Sequence, residues 1–191
     1  MSEFRKEFVE ALELLARAFE RVVQNGYSRP VLVGGAAVEF YTGGAVVSGD
    51  FDIVTQAEEA LGQALLAEGF RREDRPGWLL RGYYHPELAL GVEIVGRALF
   101  EGQADESRVL IVQVTPEAAV ALAPVEDLIA DRMGQFASTA SGVGEMLEQA
   151  IRLLQLAPWV DEEYLNRRIA TETADAYDLR YLREKVKERT R

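Results

Sequence analysis

The sequence predicts an α+β fold in which strands and helices are interspersed to about residue 115 and only helices follow. Short apolar runs bounded by glycine or proline, such as Val31-Leu32-Val33, are typical of buried strands. Longer segments with apolar residues at intervals of three and four, such as residues 4–22, are typical of amphipathic helices. We therefore expect an α/β core over residues 1–115, including an N-terminal helix, and a helical C-terminal extension over residues 116–191. No clear linker separates the two parts, so they are also compatible with one continuous domain.

The first elements of the core follow from local patterns. The N-terminal helix ends at residues 25–26, because the glycine there favours the left-handed conformation that closes many helices. After the strand at residues 31–33, two glycines lead into a short helix that ends near residue 43. A second strand over residues 50–55 and a helix over residues 57–68 follow.

The remaining elements are predicted by alternation and by the positions of proline. Two antiparallel strands around residues 77–84 and 89–95 are joined by a turn at residues 85–87, and residues 109–114 form the last strand. From Pro116 onward the pattern is helical throughout. The predicted C-terminal helices comprise residues 125–136, 145–156, 161–172 and 174–189.

Composition and charge exclude several classes of function. The 191 residues include no cysteine, which excludes disulfide scaffolds, zinc–thiolate sites and thiol catalysis. The single histidine, His85, excludes multi-histidine metal sites, so any metal is expected to have oxygen ligands, as Mg²⁺ or Mn²⁺ does. The chain has 32 acidic and 21 basic residues, and its net charge of −11 disfavours strong binding to duplex nucleic acid.

The hydropathy pattern and the N-terminal sequence predict where the protein resides. No run approaches the ~20 apolar residues of a membrane span. The first residues alternate charged and apolar side chains, unlike a signal or transit peptide. We therefore expect a cytoplasmic protein that does not interact with membranes.

The clearest chemical pattern lies between residues 31 and 54. Asp50 and Asp52 are two positions apart on a predicted strand, so both side chains project to the same side. Two adjacent carboxylates repel each other unless a cation lies between them. Gly34 and Gly35 open the preceding helix, and the free amides of a helix N-terminus bind phosphate oxygens. Together these features predict a phosphate–metal site in which the two aspartates hold Mg²⁺.

This segment resembles the signature of the DNA polymerase β-like nucleotidyltransferase superfamily, in which a Gly-Gly or Gly-Ser turn opens a helix and an Asp-x-Asp strand follows. The resemblance implies a nucleotidyltransferase fold, with a mixed central β-sheet flanked by helices. It implies that Gly34 and Gly35 bind the nucleotide and that Asp50 and Asp52 are catalytic metal ligands. Ser48 matches the small hydroxyl residue often found two residues before the first aspartate, and is assigned to nucleotide binding.

A third ligand and a reaction are also implied by this resemblance. The superfamily usually takes a third carboxylate from a later central strand, and Glu93 in GVEIVG is the candidate, although aspartate is usual there. The implied catalytic and metal-binding set is therefore Asp50, Asp52 and Glu93. The implied reaction transfers a nucleoside monophosphate from an NTP to an acceptor hydroxyl of a protein, an RNA or a small molecule, with Mg²⁺ or Mn²⁺ as cofactor.

A second resemblance lies in the C-terminal part. The segments PVEDLIADRMGQF (residues 124–136) and ADAYDLRYL (residues 174–182) resemble parts of bacterial nucleotidyltransferase-like proteins, including those of type IV toxin–antitoxin systems. Arg132 stands where lysine is common, and the second segment fits in part. This resemblance implies a protein partner bound through the C-terminal helices. It also leaves open a catalytically inactive binding module.

Each feature also has a structural interpretation. The Gly-Gly pair is compatible with an ordinary strand–helix turn, and the two aspartates with acids that pair with arginines or cap helices. A small hydrolase with a carboxylate-bound metal also remains open. A different kind of hydrolase, with a catalytic triad built on His85, is not supported, because the sequence has no Gly-x-Ser-x-Gly motif. Trp159 is expected to be a packing anchor. The arginines that could bind a triphosphate or an acceptor, or could pair with Glu73 and Asp74, are Arg71, Arg72, Arg75 and Arg81.

Overall fold

The structure of the protein, a computed structural model, describes residues 4–73, 81–88, 90–138 and 144–189. The predicted strand residues 77–80 lie outside the described residues, as does Arg75 of the basic cluster. The chain divides into two units, residues 1–123 and residues 124–191. Among the described residues, strands occur only in the first unit.

The described strands of the first unit are β1 (Val31–Val33), β2 (Asp50–Val54), β3 (Arg71–Arg72), β4 (Arg81–His85), β5 (Leu90–Gly96), β6 (Leu110–Thr115) and β7 (Ala118–Leu122). They form one sheet in the order β3-β4-β5-β2-β1-β7-β6. The pairs β2/β5 and β1/β7 are parallel, and all other neighbours are antiparallel. The predicted α+β fold with a mixed central sheet is confirmed.

The helices of the first unit are α1 (Lys6–Gln24), α2 (Gly34–Tyr41) and α3 (Glu58–Ala67). The amphipathic α1 ends as predicted, with Gly26 in the left-handed conformation at φ 85°. The ring of Phe8 in α1 is fully buried and stacks on that of Phe51 in β2, with 5.3 Å between centroids. Burial of one such side chain contributes ~1.5–3 kcal/mol. This contact therefore fixes α1 on the strand that carries the two aspartates.

Strand β7 corrects the prediction that the chain is helical throughout from Pro116. Residues 118–122, AAVAL, pair in parallel with β1 and antiparallel with β6. All five side chains are buried. A strand covered on both faces has a continuous apolar run, which periodicity does not distinguish from a buried helix. The helix prediction failed here because the pairing partners, and not the local pattern, determine the structure.

The second unit contains, in its described part, the helices α4 (Val125–Ser138), α5 (Gly144–Leu156), α6 (Glu162–Glu172) and α7 (Leu179–Arg189). The last helix begins later than the predicted residue 174, because Ala174 and Asp175 have positive φ angles of 48° and 61°. Trp159 lies in the turn between α5 and α6 and is 68% exposed, so the prediction that it anchors the packing is wrong. No helix within the described ranges is long and apolar enough to cross a membrane.

Candidate active site

The strand pairing brings three predicted site residues to one face of the sheet. In the parallel pair β2/β5, Asp50 lies opposite Gly91 and Asp52 lies opposite Glu93. Cross-strand partners project to the same side of a sheet, so the three carboxylates share one face. Phe51 between the aspartates is buried on the other face. This alternation explains why two acids and an aromatic core residue are compatible within three consecutive positions.

The glycine turn lies directly against the second aspartate. Val33, the last residue of β1, pairs with Asp52, and Gly34 follows it with a φ angle of 61°. A Cβ atom at position 34 would overlap the Asp52 carboxylate. Both the backbone conformation and the close approach therefore require glycine here. The two glycines form the first turn of α2, whereas the sequence suggested a helix that begins after them.

Ser48 connects the same turn to the first aspartate. Its hydroxyl oxygen is 2.6 Å from the position that a Cβ atom of residue 35 would occupy. The hydroxyl donates a hydrogen bond to the backbone carbonyl of Asp50 at 2.9 Å. The structure thus brings together all six residues that the sequence assigned to the site: Gly34, Gly35, Ser48, Asp50, Asp52 and Glu93.

A cavity of about 470 Å³ opens on this face beside the carboxylates. In register across the sheet, Gly91 lies opposite Tyr84 of β4, and Tyr84 lies opposite Arg71 of β3. Asp50, Glu93, Arg71 and the 39% exposed Tyr84 line this cavity. Of the predicted basic cluster, Arg71 therefore reaches the candidate site. The side chain of Arg81 lies outside the described residues.

The candidate ligand atoms of the site are carboxylate oxygens, which are the ligands that a hard cation such as Mg²⁺ prefers. The carboxylates of Asp50 and Glu93 receive no hydrogen bond from the described side chains. Because Gly34 and Gly91 have no side chains, the carboxylates of Asp52 and Asp50 pack directly against the backbone at these two positions. Within the described ranges, however, no group of three or more acidic or histidine side chains is arranged to hold a metal ion. The three-ligand metal site stays a prediction.

His85 lies at the hairpin that the sequence predicted, whereas Glu39 was not singled out by the sequence. His85 is the last residue of β4, its ring makes an edge contact with that of Phe70, and its Nδ1 accepts a hydrogen bond from the Glu87 amide at 3.3 Å. Glu39, which sequence reasoning missed, is fully buried in α2 and bonds to Arg5 and Ser48. Its position was detectable in principle, because Glu39 is the only charged residue of the helix GGAAVEFY.

The protein has the fold of the nucleotidyltransferases. An antigenic nucleotidyltransferase-like protein from Paracoccidioides brasiliensis matches with a TM-score of 0.62 and 16% identity, over 95% of this chain and 94% of that one. The antibiotic-resistance factor ANT(2'')-Ia matches with a TM-score of 0.56 and 14% identity, over 95% and 98% of the two chains. Its complex with adenylyl-2''-tobramycin gives a TM-score of 0.57 and 14% identity, over 88% and 99%. No protein-family model matches the sequence, and no curated protein matches it.

Proposed function

We propose that this protein is a metal-dependent nucleotidyltransferase that transfers a nucleoside monophosphate from an NTP to an acceptor hydroxyl. The observation that carries the proposal is the contact between the Gly34 turn and the Asp52 carboxylate, with Glu93 in register beside it. A triphosphate in this position would meet backbone amides and carboxylates at the same time. The chain as a whole supports the same reaction class, because its fold is that of nucleotidyltransferases.

The roles of the residues follow from their chemistry. The amides of Gly34 and Gly35 would bind phosphate oxygens, helped by the positive end of α2. Asp50 and Asp52, with Glu93, would hold Mg²⁺ or Mn²⁺, which supplies Lewis-acid stabilisation of the developing phosphate charge when bound. Glu93 would accept the proton of the acceptor hydroxyl. The hydroxyl oxygen then bonds to the α-phosphorus, and the bond from this phosphorus to pyrophosphate breaks.

One protein of similar fold supports the proposal that the transferred group is a nucleotidyl group. ANT(2'')-Ia has been solved in complex with adenylyl-2''-tobramycin, a compound in which a nucleotidyl group is attached to an acceptor. This match does not identify the acceptor of the present protein, because at 14% identity it supports a common fold and not common roles of residues.

A second candidate is a catalytically inactive nucleotidyltransferase-like module that binds a protein partner through its C-terminal helices, as in a toxin–antitoxin pair. The observation that favours it is that no three-ligand metal cluster is assembled among the described side chains. A magnesium-dependent response to NTP separates the two candidates, since the inactive module has none.

The test is label transfer. Wild-type protein and Asp52→Asn are each incubated with Mg²⁺, the four α-³²P-labelled NTPs and a cell lysate as the source of acceptors. We expect label in a lysate component with the wild type and at least ~10³-fold less with the variant, since metal ligation contributes several kcal/mol. Released phosphate without label transfer would indicate a hydrolase. No labelled product and no magnesium-dependent NTP binding would favour the inactive module.

A further inference from the structure

Glu39 is a fully buried carboxylate that accepts three hydrogen bonds. Arg5, the residue that precedes α1, donates through Nε to Oε1 and through Nη2 to Oε2, both at 3.0 Å. The backbone amide of Ser48 donates to Oε2 at 2.7 Å. Arg5 Nη2 also donates to the Ser48 carbonyl. A buried charge that is this fully compensated is expensive to disrupt, because loss of one partner leaves the others without bonds.

These contacts join the residue before α1 to two segments that carry residues of the candidate site. Glu39 belongs to α2, the helix that Gly34 opens, and Ser48 precedes the first aspartate of β2. The Ser48 hydroxyl bonds to the Asp50 carbonyl at 2.9 Å. The side chain of Glu39 therefore ties the helix of the phosphate turn to the loop that leads into the carboxylate strand.

An aromatic stack reinforces the same junction from the N-terminal side. Phe4 stacks on Phe8 with 5.4 Å between ring centroids, and on Phe40 of α2 with 5.7 Å. Phe8 in turn stacks on Phe51, the residue between the two aspartates. The start of α1 thus contacts both α2 and β2. Arg5 lies between Phe4 and Phe8 in the sequence, and its guanidinium lies over the Phe8 ring, 6.0 Å from the centroid.

We infer that Arg5 and Glu39 are positioning residues, which set the distance between the Gly34–Gly35 turn and Asp50 for nucleotide binding. This inference rests on the proposed function. Neither side chain needs to touch the nucleotide, because the effect passes through the Ser48 backbone to Asp50. A displacement of about 1 Å between groups that bind one substrate can reduce activity ~10²-fold, and loss of the pair releases the loop on this side of the site.

Glu68 provides a matched control in the same unit. It also binds α1 through arginines, accepting from Arg17 Nε at 2.7 Å and from Arg21 Nε at 2.9 Å. Its side chain is only 7% exposed. The Glu68 contacts join α1 to the end of α3 and include no residue of the candidate site. Substitution of either glutamate should therefore lower the stability of the protein, whereas only substitution of Glu39 should also weaken nucleotide binding.

The experiment compares Glu39→Gln, Arg5→Lys and Glu68→Gln with the wild type. Calorimetric titration with MgATP, MgGTP, MgCTP and MgUTP is performed at a temperature well below all four melting temperatures. We expect Glu39→Gln and Arg5→Lys to raise the Kd of the bound nucleotide about tenfold or more. Lysine keeps the charge but lacks the fork that reaches two carboxylate oxygens together. Glu68→Gln should keep the wild-type Kd within about twofold, although its melting temperature falls.

Hydrogen exchange of the Ser48 amide in the metal-free protein is the second readout. Exchange should be faster in Glu39→Gln and Arg5→Lys and unchanged in Glu68→Gln. If Glu39→Gln does not fold, Arg5→Lys carries both readouts, because Arg5 is partly exposed and its loss is milder. If the wild type binds no NTP, the proposed function fails, and unchanged Ser48 exchange in the variants would then overturn the positioning role independently. Equal Kd values in the wild type and in Arg5→Lys would also overturn it, as would an equal loss of binding in Glu68→Gln.

Discussion

Asp127 in the second unit and the pair Asp50 and Glu93 in the first are all carboxylates on regular elements, but their surroundings are opposite. Asp127 on α4 is fully buried, and its two oxygens accept hydrogen bonds from Arg168 Nε at 2.5 Å and from Tyr164 Oη at 2.8 Å. Asp50 and Glu93 line a cavity and receive no hydrogen bond from the described side chains.

The difference separates a structural acid from a ligand-binding one. Burial raises the pKa of Asp127, and the hydrogen bonds from Arg168 and Tyr164 oppose that rise. Each of its two oxygens already accepts a hydrogen bond, so a ligand that displaced Arg168 would take a carboxylate partner from a buried cation. A carboxylate that faces a cavity without fixed donors keeps its oxygens for a cation or a substrate. Exposure combined with glycine neighbours, and not acidity alone, identifies the candidate site.

The largest expected effect is on the buried acid of the second unit. Asp127→Ala leaves the buried Arg168 with Glu172 as its remaining carboxylate partner and takes the acceptor from the Tyr164 hydroxyl, so the free energy of unfolding should fall by about 3 kcal/mol. Tyr164→Phe removes a single hydrogen bond and should lower it by about 1 kcal/mol. Urea unfolding followed by circular dichroism measures both values. Equal and small losses of unfolding free energy in the two variants would show that the Asp127–Arg168 ion pair contributes little to the stability of the protein.

The next effect concerns the site carboxylates. Mg-NTP at one hundred times its Kd should stabilise the wild type by about 2.7 kcal/mol, or by about 5–10 °C in melting temperature. Asp52→Asn should lose most of this rise and stay as stable as the wild type without ligand, because it removes one of the three negative charges that share this face of the sheet. The exposed Glu117, at the turn between β6 and β7, supplies the control Glu117→Gln. A destabilised apo Asp52→Asn, together with a wild type that does not respond to Mg-NTP, would make Asp52 a structural acid.

The smallest effect is a pH dependence at the surface of the first unit. Burial alone would raise the pKa of Glu68, but the hydrogen bonds and charges of Arg17 and Arg21 lower it below its ordinary value of 4.5. A carboxylate with a lowered folded-state pKa stabilises above the unfolded-state value and loses this contribution as the pH falls through the folded-state one. Both arginines are partly exposed, so the contribution is about 1 kcal/mol or less.

Glu68→Gln tests this sign directly. The variant should be less stable than the wild type at neutral pH, and the difference should shrink when unfolding is measured well below pH 4.5. A difference that grows on acidification would contradict the assigned direction of the pKa shift.

The sequence alone determined the features that depend on neighbours along the chain. A glycine pair after an apolar run predicted a strand that opens a helix, and β1 and α2 follow that order. The spacing of Asp50 and Asp52 placed both acids on one side of a strand, because the period of a strand is fixed by backbone geometry. The strand assignment of Glu93 followed from alternation with Val92 and Ile94, which are buried on the other face.

Only the tertiary structure decided which distant residues meet. The run AAVAL of β7 is compatible with a helix by itself and becomes a strand because β1 and β6 pair with it on both sides. Glu39 and Arg5 are 34 positions apart, and Asp127 and Arg168 are 41 apart, so no local pattern connects them. The register that sets Glu93 beside Asp52 likewise depends on how β2 and β5 pack. Periodicity reports the face on which a residue lies, whereas the partner on that face is selected by the burial and hydrogen bonding of the whole unit.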